Sequence, residues 1–374
     1  MDNTAITLAY QHLTFNYPQA AAELYRAAGT ADELYACRKD VRQIIPDASE
    51  NLCSLLSNDW DSTLRWAEEE MEWCEKKHIT ILTLGSADYP QRLVNCFDAP
   101  IVLYSMGNGN LNAAHTVSIV GTRQCTQYGK DMVDKIVAEL KAQVPDLLVV
   151  SGLAYGIDVC SHKAALKNGI DTVGVLAHGL DTMYPASHRD IAIRMLQHGG
   201  LLTEYHSKTR GDRQNFLRRN RIVAGIGDCT IVAESMQHGG SLVTARIAND
   251  YNNEVFAIPG RVGDATSEGC NDLIKANKAH MLTSAQDIID TLGWQTIAAS
   301  DAARRQGIQM QMFPELTPDE QLIVDVLQKE DKQQNIICAM TGIPVHKVSV
   351  ALFQLEMKGI VKALAGSVYH LIVR

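Results

Sequence analysis

The sequence predicts an α/β protein built around a mostly parallel sheet, with a helical N-terminal segment before it and a small unit of three helices and a β-hairpin after it. Three observations carry this. Short β-branched runs alternate with amphipathic stretches between Ile79 and Thr283, the pattern of strands covered on both faces by crossover helices. Residues 1–75 place apolar residues at helical spacing, with no strand alternation. Beyond a polar stretch at 296–315, helix start and stop signals recur before a hairpin signal.

In the first segment Leu24, Tyr25, Ala28, Leu34 and Tyr35 fall on helical spacing, as do Leu52, Leu55 and Leu56. Trp60, Trp66 and Trp73 follow in an acidic stretch with Glu68, Glu69, Glu70 and Glu72. A small helical domain or cap over 1–75 is expected. The core domain spans 76–295. Its strand-like runs are Ile79–Thr83, Ile101–Ser105, Val117–Val120, Leu147–Val150, Thr172–Leu176, Leu201–Thr203, Thr230–Ala233, Glu254–Ile258 and His280–Thr283. Stretches such as Tyr128–Lys141 supply the intervening helices. Residues 296–315 read as a linker closing on Pro314. In the unit 316–374, Thr317 is placed to cap a helix through Leu327, with Pro318 at its first position and Glu320 three residues after the cap. A second helix ends at Thr341-Gly342 and a third runs from about Pro344 to Lys358. Ile360–Ala363 and Val368–Ile372 flank the turn Ala365-Gly366-Ser367. Three helices and a hairpin describe a winged helix.

Composition sets bounds on function. The 374 residues are 46% hydrophobic and 21% charged, ordinary values for a globular protein. No apolar run reaches ~18 residues, so no membrane span is expected. The start MDNTAITLAYQHL lacks the basic region and apolar stretch of a signal peptide. Nine dispersed cysteines without a C-x-x-C pair suit reduced thiols in a cytoplasm better than disulfides or a zinc site. The formal charge of −9 argues against a chain coated in basic residues. It leaves open a local basic groove, since phosphate binding follows local potential.

Four glycine-bearing turns follow core strands: Gly121-Thr122-Arg123, Ser151–Asp158, His178–Asp181 and Gly239–Ala245. In a parallel sheet such turns gather on one edge and open helix N-termini, where free N–H groups and the helix dipole favour anions. The segment His206–Arg221 adds Lys208, Arg210, Arg213, Arg218, Arg219 and Arg221 against the single Asp212, with Phe216 and Asn220 among them. Cations can track a phosphate backbone while an aromatic face stacks a base. The bland reading is a solvated loop and helix start; Phe216 alone is equally well a core plug.

Enzyme motifs are missing. GTRQCTQYGKD has the wrong spacing for a Walker A loop, with Asp131 after Lys130. The G-x-G-x-x-G fingerprint is absent after the first core strand, as are G-x-S-x-G and H-E-x-x-H. His162, near Asp158 on one helix, reads as structural, and no metal or cofactor is expected.

The ordered motifs SIVGTR (118–123), SGLAYGIDVCSHKAAL (151–166), VLAHGLDTMYP (175–185), GGLLTEY (199–205), FLRRNRIVAG (216–225), GGSLVTARIA (239–248), VFAIPG (255–260) and NDLIKANKA (271–279) resemble the DprA/Smf family of DNA-processing proteins. The likeness runs through about half the chain. The upstream ADYPQRL (87–93) and the winged-helix-like end fit it too. The resemblance implies a Rossmann-like core that binds and protects single-stranded DNA in natural transformation, assists loading of the recombinase RecA, and dimerises through that core. It also implies a sterile-alpha-motif-like fold for the N-terminal helices. By motif it assigns DNA contacts to Gly121, Thr122, Arg123, Arg213, Phe216, Arg218, Arg219, Asn220, Arg221, Gly240 and Ser241, with Lys163 as a further contact. Leu217 stands where the family often has proline, and Gly239-Gly240 replaces the commoner Ser-Gly. The rival on the same fold is a LOG-type phosphoribohydrolase, which needs a P-G-G-x-G-T-x-x-E turn; GGSLVTARIA has no glutamate there. A sequence-specific regulator is a second rival. The six basic and six acidic residues of 316–374 suit a protein-contact module better than a DNA reader.

Overall fold

The computed structural model describes residues 2–57, 60–297, 316–327, 332–358, 360–364 and 368–372. The chain divides into two units, Met1–Ile297 and Ala298–Arg374.

The first unit opens with helices α1 (Asn3–Thr14), α2 (Pro18–Ala28), α3 (Ala31–Ala36), α4 (Glu50–Leu56) and α5 (Trp60–Lys76). Their starts follow local chemistry. Asp2 accepts from Thr4 N at 2.7 Å, Pro18 opens α2, and Thr30 and Ser49 cap α3 and α4. Leu8, Leu24, Leu34 and Leu56 turn inward and are buried.

The nine apolar runs of the sequence become nine strands: β1 (Thr80–Thr83), β2 (Val102–Gly107), β3 (His115–Val120), β4 (Leu147–Ser151), β5 (Asp171–Val175), β6 (Gly199–Thr203), β7 (Cys229–Val232), β8 (Glu254–Ala257) and β9 (His280–Met281). Between them lie α6 (Gln91–Val94), α7 (Gln127–Gln143), α8 (Ile157–Lys167), α9 (Arg189–Met195), α10 (Arg213–Ile226), α11 (Gly240–Asp250), α12 (Glu268–Lys275) and, last, α13 (Ala285–Leu292). The sheet order is β1-β2-β6-β5-β4-β3-β7-β8-β9. From β6 to β9 all neighbours are parallel; β1 and β2 form an antiparallel edge. Val117 of β3 stands opposite Val149 of β4 on one side and Cys229 of β7 on the other. Every residue of β4 is buried, so both faces need cover. Val117, Ile119 and Val149 pack with Val133, Ile136 and Leu140 of α7. Val120, Leu148 and Val150 pack on the other face with Ile222 and Val223 of α10 and Ala245 of α11.

Strands run outward from β3 in both directions: β4 to β6 on one side, β7 to β9 on the other. A crevice opens at such a switch point, beyond the carboxyl ends of the strands.

The boundary read at residue 75 falls inside this unit. The helical segment and the sheet share one apolar core, from Ile6 and Leu24 to Val150 and Val223. Polar ties cross the same junction. Gln11 Nε2 donates to Glu204 O at 3.1 Å. Glu70, from the acidic stretch, is buried and accepts from Ser207 N (2.7 Å) and Ser207 Oγ (2.5 Å).

The second unit contains α14 (Pro318–Leu327), β10 (Lys332–Gln333), α15 (Gln334–Thr341), α16 (Val345–Met357), β11 (Val361–Leu364) and β12 (Val368–Leu371), with sheet order β10-β12-β11. It is a winged helix with its own core of Ile323, Leu327, Ile337, Val348, Leu352 and Leu355. The expected capping box is present: Thr317 N donates to Glu320 Oε2 at 2.7 Å and Glu320 N to Thr317 Oγ1 at 3.3 Å. The linker expected at 296–315 lies, from 298 on, outside the described residues, as does the turn 365–367. Among the described residues no single helix is long and apolar enough to cross a membrane.

Candidate nucleic-acid interface

The switch-point crevice is a cleft of about 1190 Å³. Its walls are the turn after β3, the turn after β4, the loop carrying Tyr184, the start of α10, and the Met236–Thr244 turn into α11.

The loop after β3 is pinned. Thr122 N donates to Glu234 O at 2.7 Å. The Glu234 carboxylate accepts from Thr126 N (2.8 Å) and Thr126 Oγ1 (2.6 Å) at the start of α7. Arg123, exposed in this loop, sets its guanidinium carbon 5.3 Å from the Phe216 ring centroid.

Helix α10 supplies the facing wall. Asp212 caps it by accepting from Asn215 N at 2.8 Å. Arg213, Phe216, Leu217 and Asn220, at i, i+3, i+4 and i+7, line the cleft. Phe216 is half-buried and belongs to no core cluster among the described residues. Its ring meets Tyr184 edge to face, centroids 5.6 Å apart at 62°.

The floor is polar and buried. Arg219 donates from Nη1 to Gly152 O at 2.7 Å and to Val175 O. A Cβ on Gly152 would lie 2.1 Å from that nitrogen, so only glycine lets the guanidinium in. Asp158 lies beside it. Burial pushes its carboxyl above the ordinary carboxylate range, and the Arg219 guanidinium pulls it back. On the remaining wall Gly240 and Ser241 open α11, and Ser241 Oγ donates to Ser235 Oγ at 2.9 Å. The N–H groups of a helix's first turn have no acceptor within the helix and favour an anion.

Nine of the twelve residues assigned from the sequence therefore meet in one place: Gly121, Thr122, Arg123, Arg213, Phe216, Arg219, Asn220, Gly240 and Ser241 all line the cleft. Three do not. Arg218 turns toward the N-terminal helices, donating to Phe15 O (3.1 Å) and Asn16 Oδ1 (3.3 Å), with its guanidinium 4.5 Å over the Phe15 ring. Arg221 is buried, paired with the Glu204 carboxylate, and donates to Asp98 O at 2.7 Å. Lys163 is exposed on α8, away from the cleft lining. The physical cause for the two arginines is helical period: they project from α10 on the side away from Phe216. Arg219, although it reaches the cleft, is engaged in its floor.

Sequence reasoning passed over Tyr184, Leu217, Asp158 and Met236 as site residues, all of which line the cleft. The signal for Tyr184 was an aromatic closing a turn after a buried strand. His162, read from the sequence as structural, lies in the interior. It is buried, its Nδ1 lies 2.7 Å from Thr172 Oγ1, and burial pushes its pKa down to about 3. The first turns of α11 carry no carboxylate, so the acid a LOG-type enzyme needs has no counterpart there. In the winged helix, the exposed side of α16 presents Val345, Val350, Phe353 and Met357, with Lys347 the helix's one Lys or Arg.

A family model described as DNA recombination-mediator protein A matches residues 80–293, and a DprA winged helix domain model matches 309–367. Protein Smf of Escherichia coli K12 is 32% identical over 308 residues, covering 81% of this chain and 80% of its own. The chain belongs to the DprA/Smf family. Within that family, the DNA processing protein DprA of Streptococcus pneumoniae is 38% identical over 201 residues, 54% of this chain and 70% of its own. The X-ray structure of DprA from that organism superposes with a TM-score of 0.57 and 28% identity, covering 73% of this chain and 97% of that one. DNA processing protein A of Helicobacter pylori, whose structure describes a single-stranded DNA binding mode, superposes with a TM-score of 0.51 and 28% identity, over 57% and 95% of the two chains. The cleft residues of this DprA/Smf chain all fall inside the 80–293 match.

Proposed function

We propose that this DprA/Smf protein binds and protects single-stranded DNA in the switch-point cleft during natural transformation, without chemistry of its own. In this reading phosphates sit on the Gly121–Arg123 turn and the Gly240-Ser241 helix start, and a base stacks on Phe216. Arg213 and Asn220 line the path. The protein acts in the cytoplasm as a homodimer through its Rossmann-like core and assists RecA in loading on the strand it holds.

One observation carries the reading. An exposed arginine from the loop after β3 and a half-exposed phenylalanine from the first turn of α10 face each other in one open cleft at 5.3 Å. A cation beside an aromatic face, neither sealed in the core, suits a polyanion whose every repeat carries a π-face. The family relative from Helicobacter pylori, with its single-stranded DNA binding mode, supports the choice of strand.

The test is fluorescence anisotropy with labelled single-stranded and duplex oligonucleotides of one sequence, over a salt series. Tighter binding to the single strand, weakening as salt rises, is expected. Preference for duplex, or release of free base from nucleoside monophosphates, overturns the reading; the latter outcome makes the cleft a phosphoribohydrolase site.

A further inference from the structure

Tyr155 stands just outside the cleft, on the turn between β4 and α8, and the backbone is constrained on either side of it, at Leu153 and Gly156. Leu153 adopts φ 55° with its side chain buried. Gly156 adopts φ 78°, where a Cβ would lie 2.1 Å from Thr122 O in the loop carrying Arg123. A non-glycine residue in the left-handed region persists only where its surroundings over-determine it, and such residues gather at functional sites. Here the outcome is a tyrosine ring 46% exposed at a rigid turn.

The ring is propped from below. It meets His188 edge to face, centroids 5.0 Å apart at 69°, and its hydroxyl lies 3.4 Å from Ser187 Oγ. His188 is itself buried, with Nδ1 2.9 Å from Leu153 O. The same short segment leads back to the cleft. Tyr184, 52% exposed and set edge to face on Phe216, is three residues before Ser187, at most ~11 Å of chain. Arg189, next after His188, is exposed and pairs with no carboxylate among the described residues.

One exposed tyrosine is ordinary. Here Phe216 touches Tyr184, and the segment that follows Tyr184 carries both the residues that hold Tyr155 and the exposed Arg189, so one short stretch of chain links the cleft to a further aromatic face. Base stacking on such rings needs no particular sequence. We propose that Tyr155 is a second base-stacking station, which takes a nucleotide of single-stranded DNA after the strand leaves the Phe216 cleft. The proposal rests on the reading of the cleft given above.

The test uses the full chain and an oligothymidine of roughly 16 nucleotides, the upper end of site sizes for single-strand binders. In Tyr155→Trp the emission added over wild type is quenched on binding. Tyr155→Ala loses about 5-fold or more in affinity, the lower bound for one stacked base, at an unchanged thermal midpoint. Absence of quenching while anisotropy reports bound DNA, or unchanged affinity in Tyr155→Ala beside a loss in Phe216→Ala, overturns the second station and leaves the cleft in place. Unchanged affinity in both alanine variants overturns the cleft reading itself, and this proposal with it.

Discussion

Arg221→Ala separates two roles that the R-R-N-R run invites one to merge. The Arg221 guanidinium is buried and faces the Glu204 carboxylate, which is also buried. Its other nitrogen donates to Asp98 O at 2.7 Å. Among the described residues Glu204 Oε1 has no hydrogen-bond partner even with the arginine present. Removing the arginine leaves a buried carboxylate without its counter-charge, a change that costs about 3–5 kcal/mol. The acid itself then provides a check. Burial already pushes the Glu204 carboxyl up from the ordinary 4.5, and Arg221 opposes that. Without Arg221 the folded pKa rises further above the unfolded one. The folded state of the variant then holds a proton that the unfolded state releases. The defect is smallest below pH 4.5 and grows as pH rises through the raised folded pKa. Urea denaturation from pH 4 to 8, paired with single-strand affinity measured where the variant is folded, reads both effects. Replacing the pair together, as Arg221→Met with Glu204→Met, recovers most of the lost stability, because apolar pairs of similar volume substitute well for buried ion pairs. A variant as stable as wild type that binds single strands more weakly and with a salt slope lower by about 0.7 refutes the structural assignment and returns Arg221 to the DNA.

Phe216→Ala is expected to lose roughly 5- to 150-fold in single-strand affinity, the range for one stacked base, with little change in thermal midpoint; a midpoint collapse with intact affinity in the surviving folded protein assigns Phe216 to the core instead. Arg123→Ala weakens binding to all sequences alike and lowers the slope of log affinity against log salt by about 0.7, one phosphate contact on a single strand. Salt-series titration checks it, and altered base preference at unchanged slope speaks against a phosphate ligand. His162, held neutral with a pKa of about 3 against the ordinary 6.5, takes up a proton on unfolding in that window. Stability therefore falls as pH drops from 6.5 toward 3, and His162→Gln reduces that slope by up to about 1.4 kcal/mol per pH unit.

The sheet was legible because β-branched runs buried on both faces have no other use. Each of the nine became a strand, and the capping signals at Thr317-Pro318 and Gly342 set helix ends where they were read. The relation of the N-terminal helices to the sheet was not legible. Glu70 sits in a run of four acids that looks like a solvated face, yet it is the one that turns inward to Ser207. Helical spacing sets it on the buried face of α5 with Ala67 and Cys74, but what it would meet there was not legible, since its partner is 137 residues away. Tyr155 was hidden for the same reason, since its prop, His188, comes from the next strand's loop.

The arginines of α10 were a different case, because the information was present and local. On a helix of 3.6 residues per turn, Arg213, Phe216, Leu217 and Asn220 fall within about 100° of one another, while Arg218 and Arg221 lie about 160° and 140° from Phe216. Taking Phe216 as the cleft-facing anchor therefore assigns Arg213 and Asn220 to the ligand and removes Arg218 and Arg221 from it, before any coordinates are known. The structure follows this division: the first group lines the cleft, Arg218 reaches Phe15 and Asn16, and Arg221 reaches Glu204. Arg219 lies about 60° from Phe216, as Arg213 does, and shares that side of the helix, but its guanidinium is engaged by the carbonyls of Gly152 and Val175 beneath the cleft. A basic run on a helix is thus several populations of charge. Only the stripe that shares a face with the aromatic is available to a strand, so the net charge of the segment overstates its electrostatic contribution to binding. The salt slope of the whole protein should accordingly reflect Arg123 and Arg213 with the backbone turns, rather than all the cations of the 206–221 segment.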